Sequence, residues 1–165
     1  MAASRRTPSC GNDGDKRPDP HAGLSGTWER FALHLKASGY RVTLTRKTVC
    51  QHVGKMAAHF RAEDLAAQLA QSPIRVSRGT VYRTLALMVE AQLVQEVRDS
   101  HRQVYYERTF DRPHHDHMVC DACGRFIEFS DAQIDTRLAH ACRNRGFRRR
   151  AYQLVVFGTC GPCGG

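Results

Sequence analysis

Two Cys-x-x-Cys pairs, Cys120 with Cys123 and Cys160 with Cys163, constrain this chain more than any other feature. A pair at that spacing chelates one ion from a tight turn, which Gly124 permits after the first pair. Two matched pairs supply four thiolates, a closed tetrahedron for structural zinc with no position left for water. The second pair lies at the extreme C-terminus, so one ion would tie the end of the chain back onto its middle. The other readings are free thiols or a redox pair. A thioredoxin-like motif needs one pair at a strand-to-helix junction rather than two matched ones. Cys10, Cys50 and Cys142 are left over; Cys50 and Cys142 fit buried helix positions, and Cys10 reads as an exposed tail thiol.

The run His114-His115-Asp116-His117, just before the first pair, has harder nitrogen and oxygen chemistry. It suggests a second metal whose occupancy can change. On a strand, His115 and His117 project to one side and His114 and Asp116 to the other. A closed zinc beside an exchangeable metal reads as a sensor rather than a catalyst. One rival is a metallohydrolase using the His/Asp cluster with an activated water, although no HExxH or Ser/His/Asp set accompanies it. Another is a zinc-stapled adaptor that touches no DNA.

The formal net charge is +9, carried mostly by arginine, since lysine occurs only at Lys16, Lys36, Lys47 and Lys55. Arginine suits bidentate contact with phosphate and guanine, so charge alone leaves two readings open, a nucleic-acid partner and a merely solvated basic surface. No apolar run approaches a membrane span, and the N-terminus lacks a signal-peptide stretch. The expected setting is therefore cytoplasmic, with no membrane partner and with thiols rather than disulfides.

Residues 1–24 are polar and Pro/Gly-rich and read as a disordered basic tail. Helical periodicity follows. Trp28, Phe31, Ala32 and Leu35 share a face that stops at Gly39, and a second helix from Thr45 turns Val49, Val53 and Met56 inward. A third over 62–70 buries Leu65 and Leu69, and Ser77 caps a fourth carrying Val81, Leu85, Met88 and Val89. Two β-prone stretches, 93–98 and 103–107, flank the turn Asp99-Ser100-His101-Arg102. Helices followed by a hairpin predict a winged helix-turn-helix over 25–108. A hinge over 109–113 leads to a small unit over 114–165, with strands at 118–119, 126–129 and 152–157. Its helix spans 131–145, with Ile134, Leu138 and Ala141 inward. The fold class is α+β, and a unit as small as the second needs a staple, which zinc supplies.

The segments Gly39-Tyr40-Arg41-Val42-Thr43-Leu44-Thr45-Arg46, His59 to Leu65 and Gly79-Thr80-Val81-Tyr82-Arg83-Thr84-Leu85 resemble the DNA-binding half of the ferric uptake regulator family. The run His114 to Cys123, with Gly124, Ile127-Glu128-Phe129 and the terminal pair, looks like that family's metal-binding and dimerisation half. The resemblance spans about residues 26–163 and implies a homodimeric, metal-dependent transcriptional repressor that binds double-stranded DNA, not an enzyme. By resemblance, His59, Glu107 and Glu128 join His115 and His117 in a regulatory metal site whose ligands straddle the hinge. Glu107 is a hard oxygen ligand where zinc-sensing relatives commonly place a cysteine, and Glu128 stands where peroxide-sensing relatives carry an aspartate. The implied order for the regulatory metal is Fe2+, then Zn2+, then Mn2+ or a peroxide response.

A third set would use His114, Asp116 and Asp135. Relatives with this site take a further histidine from the last strand, where this chain has Tyr152. For DNA, the fourth helix is the expected recognition helix, with Arg78, Thr80, Tyr82 and Arg83 at its start. Tyr82 is expected to pack on thymine methyls and Arg83 to grip phosphate or guanine. Arg41 and Arg46 match the family's basic positions near the second helix. Arg41 is a candidate for an A·T-rich minor groove, and a dimer implies a palindromic operator. Thr45, where many relatives have Pro, is expected to cap that helix.

Overall fold

The computed structural model describes residues 26–110 and 113–164. The tail over 1–24 with Cys10, and the middle of the hinge, lie outside the described residues. Helices α1 (Thr27–Ala37), α2 (Leu44–Val53), α3 (Ala62–Ala70) and α4 (Arg78–Glu90) precede a hairpin of β2 (Val94–Arg98) and β3 (Val104–Arg108). The apolar stripes meet as the periodicity requires: Phe31, Leu35, Val49, Val53, Leu65, Leu69, Val81, Leu85 and Met88 are all buried in one cluster. Burial of each such side chain contributes roughly 1.5–3 kcal/mol relative to exposure.

Local signals set the helix ends. After α1, Gly39 takes φ 75°, and the Tyr40 amide reaches back to the Leu35 carbonyl at 2.7 Å. Ser77 caps α4 by accepting from the Thr80 amide. The expected cap of α2 is displaced: extended Thr43, not Thr45, accepts from the Arg46 amide, and Thr45 lies inside the first turn. At the wing tip, Asp99 accepts from the amides of His101 (2.9 Å) and Gln103 (2.8 Å), which closes the turn between β2 and β3.

A two-residue strand, β1 (His59–Phe60), was not visible in the sequence. It pairs antiparallel with β3 in a sheet of order β1-β3-β2. The register sets His59 opposite Glu107 on one side and Gln95 opposite Glu107 on the other.

The second sheet has β4 (Asp116–Cys120) at its centre, antiparallel to β5 (Phe126–Phe129) and parallel to β6 (Val155–Gly158). Gly124, at φ 69°, makes the turn in which its amide reaches the Cys120 carbonyl at 2.8 Å. Helix α5 (Ala132–Arg143) carries no buried side chain, so Ile134, Leu138, Ala141 and Cys142 are only half covered, contrary to their expected burial. The last strand begins at Val155 rather than at 152. The preceding residues turn away: Tyr152 packs on His114, and the Gln153 side chain donates to the Glu96 carbonyl. A helical turn, α6 (Gly161–Gly164), carries Cys163. Among the described residues, no helix is long and apolar enough to cross a membrane.

Candidate metal centres

The two Cys-x-x-Cys turns meet. One sulfur from each of Cys120, Cys123, Cys160 and Cys163 lies within 4.8 Å of the others. The Cys123 and Cys160 sulfurs are 3.8 Å apart, and the Cys160 amide donates to the Cys120 sulfur at 3.4 Å. Amides of Cys160 and Cys123 aimed at Cys120 hold its thiol down at about 6. Hydrogen bonds with the Cys160 and Cys123 thiols push Cys163 up to about 12. Four thiols this close cannot all ionise beside one another unless a dication shares them. The all-sulfur donor set fits zinc.

The second constellation is built around one carboxylate. Glu107 is fully buried on the central strand β3, an expensive place for a charge unless partners converge on it. They do. His115 Nε2 lies 2.5 Å from Oε1, and His117 Nε2 lies 3.2 Å from Oε2. Gln95 donates to Oε2 at 2.8 Å. Burial works to raise the Glu107 pKa, but hydrogen bonds from His117 and Gln95 and the nearby imidazoles win and hold it at about 2. His59 Nε2 stands 2.9 Å from His117 Nε2 and 3.8 Å from Glu107. Burial pulls the His59 pKa down, against the opposing Glu107 charge, and so favours the neutral, ligating imidazole. Donor atoms converge as His59–Glu107–His117 and as Glu107–His115–Glu128, with Glu107 common to both. Register explains the second sheet's share, since Glu128 on β5 lies opposite His117 on β4. The nitrogen and oxygen donors fit a borderline divalent ion such as ferrous iron, zinc or manganese.

Reading the sequence missed two side chains that hold this arrangement. Gln95 orients Glu107, and counting back across the hairpin turn would have found it. Phe126 stacks on the His59 ring with centroids 4.4 Å apart and meets Tyr105 edge-on at 5.0 Å, packing the two sheets together; no local pattern marks it.

His114, Asp116 and Asp135 behave differently. Among the described residues they do not converge as a ligand set. His114 Nε2 approaches Asp116 at 3.3 Å, while Asp135 is held by the Arg149 guanidinium at 2.8 Å.

The residues expected at DNA fall into two groups. Arg41, Arg46, Thr80 and Arg83 line one cleft between the end of α1, the start of α2 and α4. The Arg46 guanidinium also donates to the Arg41 carbonyl and lies over the Tyr40 ring. Arg78 and Tyr82 turn instead toward α3, where the Tyr82 hydroxyl donates to Glu63 at 2.6 Å. The Tyr82 ring is partly packed on the core.

Known proteins resemble this chain in sequence and in fold. The family model described as Ferric uptake regulator family matches residues 37–157. The chain belongs to the ferric uptake regulator family. The ferric uptake regulation protein of Campylobacter jejuni is 32% identical over 137 residues, covering 82% of this chain and 87% of that protein. The solved ferric uptake regulator of Pseudomonas aeruginosa, with manganese, is 33% identical at a TM-score of 0.68, covering 79% of this chain and 97% of that one. The Helicobacter pylori regulator, described as having three functional metal binding sites, shares the fold at a TM-score of 0.69 and 24% identity. It covers 84% of this chain and 91% of its own.

Proposed function

We propose that this chain is a homodimeric, metal-dependent DNA-binding transcriptional repressor of metal homeostasis, responsive first to ferrous iron. The observation that carries it is the Glu107 hub. His59 and Glu107 come from the first sheet, and His115, His117 and Glu128 come from or border the second. A divalent ion bound there would take lone pairs from the imidazoles and the carboxylates together. Drawing the five side chains to one point sets the angle between winged helix (25–108) and dimerisation unit (114–165) across the hinge at 109–113. Only the arrangement with both sheets in contact offers all the ligands, so binding energy favours that state.

Ferrous iron is supported by the oxygen-rich donor set and by the ferric uptake regulation name of the relatives; zinc and manganese suit the same donors. Dimerisation is supported by apolar side chains on the second sheet, Met118, Ile127, Val156 and Phe157, which the described residues leave exposed. Arg41 and Arg46 face the same cleft as Thr80 and Arg83, which suits a recognition helix in the major groove with arginines on the flanking backbone or minor groove. A two-fold dimer would read a palindromic, A·T-rich operator in the cytoplasm. A hydrolase built on His115-Asp116-His117 finds less support, because Asp116 is buried toward His114 and Tyr152, away from the hub. The decisive experiment is metal analysis of anaerobically purified protein, with operator binding titrated separately with Fe2+, Mn2+ and Zn2+. Operator affinity indifferent to all three would sink the reading.

A further inference from the structure

We propose that Arg149 is a built-in cation at the His114–Asp116–Asp135 cluster, standing where an exchangeable metal would otherwise be held. The cluster lines a cleft of about 530 Å³ together with Gln95, Arg149 and Tyr152. Asp116 is only 2% exposed, and its Oδ1 has no hydrogen-bond partner despite the His114 ring 3.3 Å away. A buried carboxylate in that state calls for a positive charge nearby. The same cleft holds one, on its Asp135 side. Arg149 Nη2 donates to Asp135 at 2.8 Å, its guanidinium lies over the Tyr152 ring at 4.9 Å, and its Nη1 is buried without a partner. Tyr152 in turn packs on His114, with ring centroids 4.4 Å apart.

A metal ion fits this set poorly. The donors do not converge, Asp135 already accepts from Arg149, and the aromatic ring fills the side from which another ligand would come. Guanidinium also does something an exchangeable ion cannot: it is charged at every metal concentration. The segment it anchors continues to Gln153, which donates to the Glu96 carbonyl at 2.9 Å and to the Gln95 side chain at 3.5 Å. Gln95 holds Glu107. The second sheet is thus tied to the wing, and to the hub's carboxylate, by groups that need no metal.

The test counts Co2+ bound by zinc-containing dimer stripped of exchangeable metal, by elemental analysis and visible absorption. In the parent, Asp116→Asn should leave the Co2+ count unchanged. In Arg149→Ala/Tyr152→His, which removes the guanidinium and adds an imidazole, an additional Co2+ should bind per protomer, and Asp116→Asn in that background should remove it. Arg149→Lys, which keeps the charge, should gain none. A parent ion lost on Asp116→Asn overturns the proposal, as does a folded double variant that gains nothing. The parent arm decides alone should the double variant not fold. Only the ion that depends on Asp116 is scored, so the result stands whatever Glu107 holds.

Discussion

The helical unit and the second sheet are stabilised by different physics. Every member of the large buried cluster lies between Phe31 and Tyr106, and none comes from β4, β5, α5 or β6. The second unit buries little apolar surface beyond Val119 and the Cys120 and Cys160 positions, and its only long helix buries nothing. One unit folds around its own core. The other borrows stability from a metal, from the hub it shares with the wing, and from whatever covers its outer face. With the DNA contacts on the first unit and the sensed metal on the second, as proposed above, this asymmetry would keep the first rigid while the second depends on ligands.

The largest effect should follow loss of the four-sulfur site. Structural zinc of this type contributes about 10–16 kcal/mol of apparent binding free energy, which here is folding free energy for the second unit. Cys120→Ser or Cys163→Ser should release zinc and abolish hydrogen-exchange protection in β4 to β6 while α1 to α4 stay protected. Equal loss in both units would erase the contrast. A dimer with stoichiometric zinc in either variant would refute the structural assignment. Next in size is the outer face: Phe157→Asp, at a side chain 48% exposed in the single chain, should leave a zinc-containing monomer in sedimentation. A persistent dimer would place the interface elsewhere.

The hub comes third and separates ligand from support. Glu107→Gln keeps the side chain's shape but removes the buried charge, and should abolish metal-stimulated operator binding with zinc content intact. Gln95→Ala leaves every ligand in place and removes only the hydrogen bond that orients Glu107. By analogy with other ligand-orienting groups, it should weaken regulatory metal affinity by roughly 10–100-fold. Isothermal titration with Mn2+ measures both, and identical losses would mean that Gln95 is itself a ligand.

The two units were unequally legible in the sequence as well. Helical stripes in the first unit are long enough for period to speak, and residues such as Leu65, Leu85 and Met88 sit where period puts them. Capping near α2 was displaced because Thr43 and Thr45 offer the same hydroxyl chemistry two positions apart, and only backbone angle decides between them. In the second unit, chemistry spoke instead of period: the cysteines and histidines stood out, yet burial along α5 was overestimated because its amphipathic face presumes a core that one protomer lacks. Of the cross-sheet partners, Gln95 could be reached only by counting register across the hairpin, and Phe126 and Gln153 carry no local signal. Strand β1 is too short to show a period, although its register places His59 against Glu107. Arg149 sits in a basic run that composition alone reads as solvated surface.

The smallest expected effect concerns α4, the proposed recognition helix, where the structure divides residues that the sequence grouped together. Tyr82 reaches Glu63 with its hydroxyl, and that hydrogen bond leads the causes that draw the Glu63 carboxyl below its usual range. The carboxylate is 42% exposed, so its bond with the phenol is shared with water. Tyr82→Phe should therefore cost only about 0.5–1.5 kcal/mol of stability and change operator affinity several-fold at most, because the ring keeps its apolar contact. Arg83→Ala removes a charge from the cleft that also holds Arg41 and Arg46, so it should lower affinity across all sequences and reduce the salt slope by about one. Fluorescence anisotropy over a range of salt, on operator and scrambled duplexes, tells the two apart. If Tyr82→Phe reduced operator binding as deeply as Arg83→Ala while scrambled DNA was unaffected, the hydroxyl would be reading a base, and its bond to Glu63 would be exchanged for one to DNA on binding.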